Sequence, residues 1–330
     1  MKSLIKKLTE TFSPSGYEDA IREVILEAIK TLADEIHVDA LGNIIARKGS
    51  GGKRIMLAAH MDEIGLMVNH IDEKGFAYFS HVGVPFARYL SGGRVRFMNG
   101  VEGIIDSETP KKGGYHGIAP PDKMFIDTGA TSPKDSPVQV GDVAAFERPY
   151  TEMGKRIVAK SLDDRIGVAV LIEAMRRLKS DKNEAYFVFT VQEEVGVRGA
   201  VTAAYGVDPE IGVAIDVTPT GDTPNGWKSN VELGKGPAIV VKDAGIISDT
   251  RVVTWLENAA AQTKIPVQRT VQLVGGTDAR AMQLTRSGVL AGSIGIPCRY
   301  AHSPSEMVDF DDVENAAKLV VALLSKPIEL

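Results

Sequence analysis

The segment FVFTVQEEVGVRGA, residues 187–200, joins a buried-strand pattern to two adjacent acids. Its first residues are mostly apolar and strand-forming, which predicts a strand in the protein core. The run then ends in Glu193 and Glu194, although glutamate is almost never fully buried unless it is paired. A functional site that uses two carboxylates would explain why both stand at the end of a core strand.

Composition limits the classes of function. The chain has 330 residues, 44% of them hydrophobic, which is enough for a sizeable core and for two domains. Its formal net charge is -5 and it has no long Lys/Arg run, so neither nucleic acid nor an anionic membrane surface is an expected partner. The single cysteine, Cys298, excludes an intrachain disulfide and a cysteine-built zinc site and indicates a reducing compartment. We therefore expect a cytoplasmic protein acting on small molecules or peptides.

The amino-terminal segment MKSLIKKLTETF predicts an amphipathic helix, because lysines and apolar residues recur in it at helical spacing. It lacks the continuous apolar block of a signal peptide. No other segment approaches the roughly 18 unbroken apolar residues that a membrane-spanning helix requires. The sequence therefore predicts no contact with a membrane.

The two ends of the chain show an alternating helix and strand pattern. In SPSGYEDAIREVILEAIKTLA, Ser15 and Glu18 have the spacing of a capping box, and Ile21, Ile25 and Ile29 follow on one helical face. A hairpin over EIHVDALGNIIARKG and a buried strand over RIMLAAHMD come next. After residue 154 helices and near-continuous apolar strands alternate again, which predicts a sheet covered by helices on both faces.

Between these parts the pattern changes to short alternating runs broken by glycine and proline, such as GFAYFSHVG and GRVRFMNGVEGII. Short strands at this density predict a small β-barrel or sandwich. We therefore predict an α/β catalytic domain formed by residues 1–68 and 154–330, interrupted by an inserted β domain at residues 69–153.

Polar residues follow several of the predicted core strands. In α/β sheets ligands bind just beyond the carboxyl ends of the strands, so these side chains are expected to share one site. Candidates at strand ends or on the connections between elements are His60, Asp62, Asp163, Asp164, Glu193, Glu194, Asp216 and His302. Carboxylates at this density repel one another unless cations lie among them. Imidazoles with carboxylates and no thiolate form the ligand set of zinc, cobalt or manganese, and the number of ligands fits two ions.

Each motif by itself has an ordinary structural interpretation. His60 and Asp62 alone would more often be a satisfied pair in a loop, and two acids after a strand are often a solvated strand end. Asp163 and Asp164 could begin a helix, where acidic residues interact favourably with the helix dipole. The metal-site hypothesis is favoured because all of the motifs occur together, at positions that yield a complete ligand set.

The ordered segments AHMDEIGLMV, AKSLDDRIG, VQEEVGVRGA, AIDVTPTGD and YAHSPSEMV resemble the M42 family of metallo-aminopeptidases, which includes the tetrahedral (TET) aminopeptidases and glutamyl aminopeptidase. The resemblance covers nearly the whole chain. It implies a mixed sheet flanked by helices, of the zinc-exopeptidase type, with a PDZ-like inserted barrel. The M20 peptidases and deacylases share the motif order and are an alternative. Here, however, Asp163 comes 101 positions after Asp62, an insertion point that favours M42.

The resemblance also implies roles for individual residues. It places one divalent metal ion on His60 and Asp216, a second on Glu194 and His302, and Asp163 between the two. Glu193 would be the general base for a water held between the ions, and Asp62 would hydrogen-bond the ring of His60. If the two glutamates stand in an extended strand, they point in opposite directions, which would let each serve one of these roles. The implied reaction releases the amino-terminal residue of a peptide.

The resemblance extends to a segment near the expected substrate pocket and to the inserted domain. Segment GGTDARAM resembles a family motif near the substrate pocket, so Thr277 and Asp278 are candidate substrate contacts, although Thr277 could simply cap a helix. His116 lies in a glycine-rich loop and receives no role. The resemblance implies that the inserted domain makes subunit contacts, leading to dimers or to tetrahedral dodecamers. It does not indicate the preferred amino-terminal residue or which of zinc, cobalt and manganese is used.

Interpretations from two other classes stay open. Paired carboxylates would suit an endoglucanase-like glycoside hydrolase, but that activity leaves the two histidines unexplained. Trp227 and Trp255 are also the only tryptophans available to stack on sugars. A non-catalytic scaffold on the same fold would be expected to lack the base, yet Glu193 is present.

Overall fold

A computed structural model describes residues 1–109, 118–179, 182–226 and 228–330. His116 and Trp227 therefore lie outside the described residues. The helices are α1 (Lys2–Glu10), α2 (Asp19–Ile29), α3 (Leu162–Arg177), α4 (Arg198–Val207), α5 (Thr250–Thr263), α6 (Ala279–Gln283) and α7 (Phe310–Leu324). None of these described helices is both long enough and apolar enough to cross a membrane.

The strands fall into a large sheet and a closed barrel. The large sheet contains β1 (Glu35–Val38), β2 (Ile44–Lys48), β3 (Arg54–His60), β10 (Thr151–Met153), β11 (Arg156–Ala159), β12 (Glu184–Thr190), β13 (Ile211–Pro219), β14 (Ala238–Lys242), β15 (Gln268–Val271), β16 (Leu290–Arg299) and β17 (Glu306–Asp309). The barrel contains β4 (Gly65–Ile71), β5 (Ala77–Val82), β6 (Arg94–Phe97), β7 (Glu102–Ser107), β8 (Met124–Asp127) and β9 (Val143–Phe146).

The large sheet is mixed, with parallel strands at its centre. Its main path runs β1-β2-β12-β3-β13-β16-β17-β11-β10, and β14 pairs with both β15 and β16. Strands β12, β3, β13 and β16 are parallel to their neighbours in that order, whereas β2 and β17 pair antiparallel to them. The carboxyl ends of four parallel strands therefore lie along one edge of the sheet.

Both faces of the central strands are buried, which explains their near-continuous apolar sequence. In β3, Ile55 and Leu57 pack into a core shared with α1, α2, α3, α5 and α7, while Met56 packs into a smaller core on the opposite face with α4 and α6. In β12, Phe187 and Val188 divide between the same two cores. The predicted class, a mixed sheet flanked by helices with an inserted β-barrel, is confirmed.

The barrel has its own hydrophobic core, formed by apolar side chains from all six of its strands. It closes in the order β4-β5-β8-β7-β6-β9. The barrel strands run from Gly65 to Phe146, so they begin before residue 69, where the predicted insert starts. The predicted insert, residues 69–153, also includes β10, which pairs with β11 in the large sheet.

The predicted capping box before α2 is wrong, although Ile21, Ile25 and Ile29 are buried on one face as predicted. The helix begins at Asp19, and no side chain caps it. The Ser15 hydroxyl instead donates to Asp62 at 2.6 Å, and the Glu18 carboxylate accepts from the backbone N–H groups of Gly16 and Gln192. Spacing alone could not show that both side chains turn towards the end of a neighbouring strand.

The β12 strand ends at Thr190, before the two glutamates. Gln192 has a φ of +55°, in the left-handed region, so the chain leaves the extended conformation before it reaches Glu193. The prediction that the glutamates diverge because they stand in a strand is therefore wrong. They lie in a turn.

We expect Phe187→Ala to destabilise the protein by about 3–5 kcal/mol, because the phenyl ring is fully buried and its loss leaves a cavity in the main core. Val201→Ala, at a residue of α4 that is 51% exposed, should change stability by no more than about 0.5 kcal/mol. Urea unfolding followed by circular dichroism compares the two variants. Equal losses would contradict the placement of β12 in the core.

Candidate metal centre

Strand register brings the first candidate residues level with one another. His60 is the last residue of β3 and pairs with Thr190, the last residue of β12. On the other side Ala58 pairs with Ala214, so Asp216, two residues further along β13, lies level with His60. Asp216 is thus inside β13 and not beyond its end as the sequence suggested.

Asp163 lies between two imidazole rings. Its Oδ1 is 3.0 Å from Nε2 of His60, and its Oδ2 is 3.3 Å from Nε2 of His302. Asp163 lies near the start of α3, and its backbone departs from helical geometry. His302 lies in the turn between β16 and β17 and has a φ of +60°. One side chain therefore offers an oxygen to each of two histidine sites.

These contacts create two groups of possible metal ligands that share Asp163. His60, Asp163 and Asp216 form one group, and Asp163, Glu194 and His302 form the other; within each, the ligand atoms lie within 4.8 Å of one another. His302 Nε2 is also 3.6 Å from the Glu194 carboxylate. All five residues that the sequence predicted as metal ligands are thus brought together.

The charges in this centre suit cations. Burial, together with the nearby Asp163 carboxylate, raises the pKa of Glu194 to about 7 against the attraction of His302. Burial and the neighbouring Asp164 and Asp163 carboxylates likewise raise the pKa of Asp216 well above its usual value. Divalent ions would remove this repulsion, and the set of two imidazoles and three carboxylates suits zinc, cobalt or manganese. The residues therefore fit the metal centre that the donor set implies.

Asp62 organises the β3 and β12 strand ends. Its Oδ1 is 3.4 Å from Nδ1 of His60, a contact without the geometry of the predicted hydrogen bond, and it accepts the backbone N–H of Glu193 at 3.0 Å. Its Oδ2 accepts the N–H of Glu194 and the Ser15 hydroxyl. This fully buried carboxylate thus faces the far side of the His60 ring and holds the turn that carries both glutamates.

Glu306 also accepts two backbone amides, and it does so beside Asp163 and His302. One of its oxygens accepts the backbone N–H of Asp163 at 2.9 Å, and the other accepts the N–H of His302 at 2.8 Å. The side chain is 1% exposed. Because a separate oxygen serves each amide, the carboxylate fixes the distance between two ligand-bearing segments that are far apart in sequence.

The remaining candidates lie near the centre in different roles. No hydrogen bond to the Glu193 carboxylate occurs within the described part of the chain, and burial raises its pKa well above the usual value, with Asp278 and Glu194 adding to the shift. Asp164 accepts the N–H of Gly167, and Asp278 accepts the Thr190 hydroxyl at 2.5 Å. The Thr277 hydroxyl accepts the N–H of Ala279 at the start of α6, whose N-cap residue is Asp278. Contact of Thr277 and Asp278 with substrate stays a prediction.

Sequence reasoning missed a buried ionic network that holds the amino-terminal segment. Glu63 accepts from Lys160 at 2.6 Å, from the Ser161 hydroxyl and from the backbone N–H of Ser13. Arg165, which has no exposed surface, donates to the backbone carbonyls of Leu8, Thr11 and Ser13. The contacts of Ser15, Glu18 and Glu306 were missed as well. The segments SPSGYE and HSPSEMV contain these residues, but the sequence does not show their partners.

The model of the M42 glutamyl aminopeptidase family matches residues 42–319. The chain belongs to this M42 family of aminopeptidases. It is similar to the lysyl aminopeptidase of Pyrococcus furiosus, with 36% identity over 99% of this chain and 98% of that protein. As an M42 peptidase it is an enzyme that hydrolyses peptides, and the M20 alternative is set aside.

Solved structures agree with the family assignment. The aminopeptidase APDkam598 from the archaeon Desulfurococcus kamchatkensis is 40% identical with a TM-score of 0.93, covering 98% of this chain and 94% of that one. The Pyrococcus horikoshii TET1 peptidase, described as assembling into a tetrahedron or a large octahedral shell, is 35% identical with a TM-score of 0.88, over 98% of both chains. These peptidase relatives favour the aminopeptidase over the glycoside hydrolase interpretation.

We expect Glu306→Gln to lower the metal content of the purified enzyme. Glutamine has one acceptor oxygen, so either the Asp163 or the His302 amide would face an NH2 group and lose its partner. The unpaired buried amide should also cost about 1–3 kcal/mol of stability. Elemental analysis gives the metal content, and urea unfolding gives the stability.

Asp312→Asn is the matched control for this substitution. The Asp312 side chain is fully buried and also accepts two backbone amides, those of Gly234 and Gly236 at 2.7 Å, away from the candidate ligands. This variant should lose similar stability but keep its metal. Full metal content in Glu306→Gln would show that the carboxylate is not needed to place the ligands.

Proposed function

We propose that the protein is a two-metal aminopeptidase that releases single residues from the amino terminus of peptides. The observation that carries this proposal is the position of Asp163, with one carboxylate oxygen near each of two histidine Nε2 atoms. His60 and Asp216 would hold one ion, Glu194 and His302 the other, and Asp163 would serve both.

Two bound divalent cations would supply Lewis-acid polarisation of the scissile carbonyl and a more acidic water at neutral pH. Glu193 is proposed as the general base, which takes a proton from the attacking water and later gives one to the leaving amine. Burial raises its pKa, which makes Glu193 a stronger base than an exposed glutamate. Asp62 positions Glu193 through the backbone and His60 through the ring.

The centre also favours a free amino terminus. A free α-amine in its unprotonated form has a lone pair that a bound divalent ion would accept. The nitrogen of an N-acetylated residue is an amide, which lacks this available lone pair, and it carries a bulkier group at the same position. We therefore propose that the substrates are peptides with an unblocked first residue.

The inserted domain is proposed to mediate self-association. The Pyrococcus horikoshii TET1 peptidase, similar over nearly its whole length, can assemble into a tetrahedron or a large octahedral shell, and we infer that the inserted domain makes comparable contacts between copies of this chain. We accordingly keep the division into a catalytic part, residues 1–68 and 154–330, and an assembly part, residues 69–153. A cytoplasmic location and the use of zinc, cobalt or manganese belong to the same proposal.

Removing and restoring metal tests the activity. Chelator-treated protein should lose hydrolysis of aminoacyl-nitroanilides and regain it when zinc, cobalt or manganese is added, with N-acetylated substrates uncut throughout. Comparison of different aminoacyl groups would also give the side-chain preference. Cleavage of glucans that survives chelation, with no cleavage of nitroanilides by any metal form, would instead support a two-carboxylate glycosidase.

Glu193→Gln should retain both ions and lose turnover by about 10²- to 10⁴-fold, the usual contribution of a general base. Glu194→Gln is the contrasting variant, because replacing a ligand should reduce the metal content as well. Metal analysis and kcat measured on the same preparations separate the two effects. Near-normal turnover by Glu193→Gln would exclude Glu193 as the base.

A further inference from the structure

A loop of the inserted barrel reaches the candidate metal centre. Residues 83–86 follow β5 directly, and the Val84 carbonyl oxygen lies 3.0 Å from Nδ1 of His302. The backbone N–H of Phe86 is 3.4 Å from the carbonyl of His302, and the two rings lie 6.0 Å apart. The barrel therefore touches a candidate ligand within the same chain.

The contact with Val84 determines which nitrogen of His302 carries a proton. A carbonyl oxygen can only accept, so the Nδ1 atom must be the donor. In a neutral ring Nε2 then has the free lone pair, and Nε2 is the atom that faces Asp163 and Glu194. A metal-binding histidine commonly donates its other N–H to a carbonyl or carboxylate in this way.

The absence of a side chain at Gly83 lets the same loop lie close to Glu194. Its φ is +78°, and a Cβ added there would lie 3.0 Å from Oε2 and 3.2 Å from Cβ of Glu194, and 2.8 Å from Ile64. Any larger residue would have to displace the loop or the Glu194 side chain. Glycine at this position thus permits the loop to pack against two candidate ligands at once.

We propose that residues 83–86 of the barrel are a positioning element for the Asp163, Glu194 and His302 metal group. The Val84 carbonyl fixes the tautomer and direction of the His302 ring, and Gly83 leaves room for Glu194 beside it. The barrel is then needed for a complete metal centre within each chain, in addition to any role in assembly. This inference rests on the two-metal function proposed above.

The test compares Gly83→Ala with Gly92→Ala. Gly92 lies in the same barrel and has nearly the same φ, +77°, but a Cβ added there meets nothing within 4 Å. The two variants therefore share the backbone strain of a left-handed alanine, and only the alanine at position 83 contacts Glu194 and the neighbouring Ile64. Chelator-stripped full-length protein is titrated with Co²⁺, followed by calorimetry and by the visible absorption of the bound ion.

We expect wild type and Gly92→Ala to bind two Co²⁺ per chain with the same affinities. Gly83→Ala should weaken one of the two binding steps by about 10- to 100-fold, the usual effect of losing a contact to a metal ligand, and should leave the other step unchanged. The absorption bands of the weakened step should shift as well. Phe86→Ala, which removes the ring beside His302 without adding bulk, should weaken the same step.

The outcomes separate the inference from the proposed function. If wild type binds two ions and both Gly83→Ala and Phe86→Ala titrate like Gly92→Ala, the positioning role of the loop is wrong while the two-metal centre stands. If wild type binds fewer than two ions, the two-metal function fails first and the inference fails with it. Should Gly83→Ala not fold, Phe86→Ala alone decides between these results.

Discussion

The crowding of carboxylates at one buried sheet edge is the constraint on which the rest of this structure depends. Two like charges about 4 Å apart repel by about 4 kcal/mol at an effective dielectric constant of about 20. A typical protein is stable by only about 5–15 kcal/mol in total, so several such repulsions cannot stand uncompensated. Burial, with the neighbouring carboxylates adding to it, raises the pKa values of Glu193, Glu194 and Asp216. Bound divalent cations would turn this repulsion into ligand binding.

The protein holds the acids in place with backbone amides. Asp62 accepts two N–H groups from the turn after β12, and Glu306 accepts one from each of two ligand-bearing segments. Amides are fixed dipoles that neither titrate nor need their own counterion, so they stabilise a buried carboxylate without adding to the charge that the metals must balance. Asp163, by contrast, lies between the rings of His302 and His60, whose interaction with the carboxylate outweighs the effect of burial and holds its pKa below the usual value.

Sequence alone predicted the features that depend on local pattern. The periodic apolar residues of α2, the doubly buried strands and the short barrel strands each follow from spacing and composition. The meeting of His60 and the two glutamates was also predictable, because parallel strand ends lie at one edge of a sheet. Features that depend on a contact between distant segments were not predictable. Ser15 and Glu18 fit a capping box by spacing, yet they bond Asp62 and Gln192, and nothing local distinguishes these outcomes.

The position of the insertion explains how a β-barrel can serve a metal centre in another part of the chain. Strand β3 ends at His60, and the barrel begins at Gly65, whose added Cβ would clash with the Ala144 carbonyl and touch Pro14. The chain re-enters the large sheet through β10 and β11, shortly before Asp163. One connection to the barrel thus begins just after His60, and the other ends shortly before Asp163. The loop at residues 83–86 adds a third link, to His302. With three such contacts, the orientation of the barrel and the geometry of the centre are not independent. The insert separates His60 from Asp163 in sequence, and its loop contacts His302, whose ring lies beside Asp163.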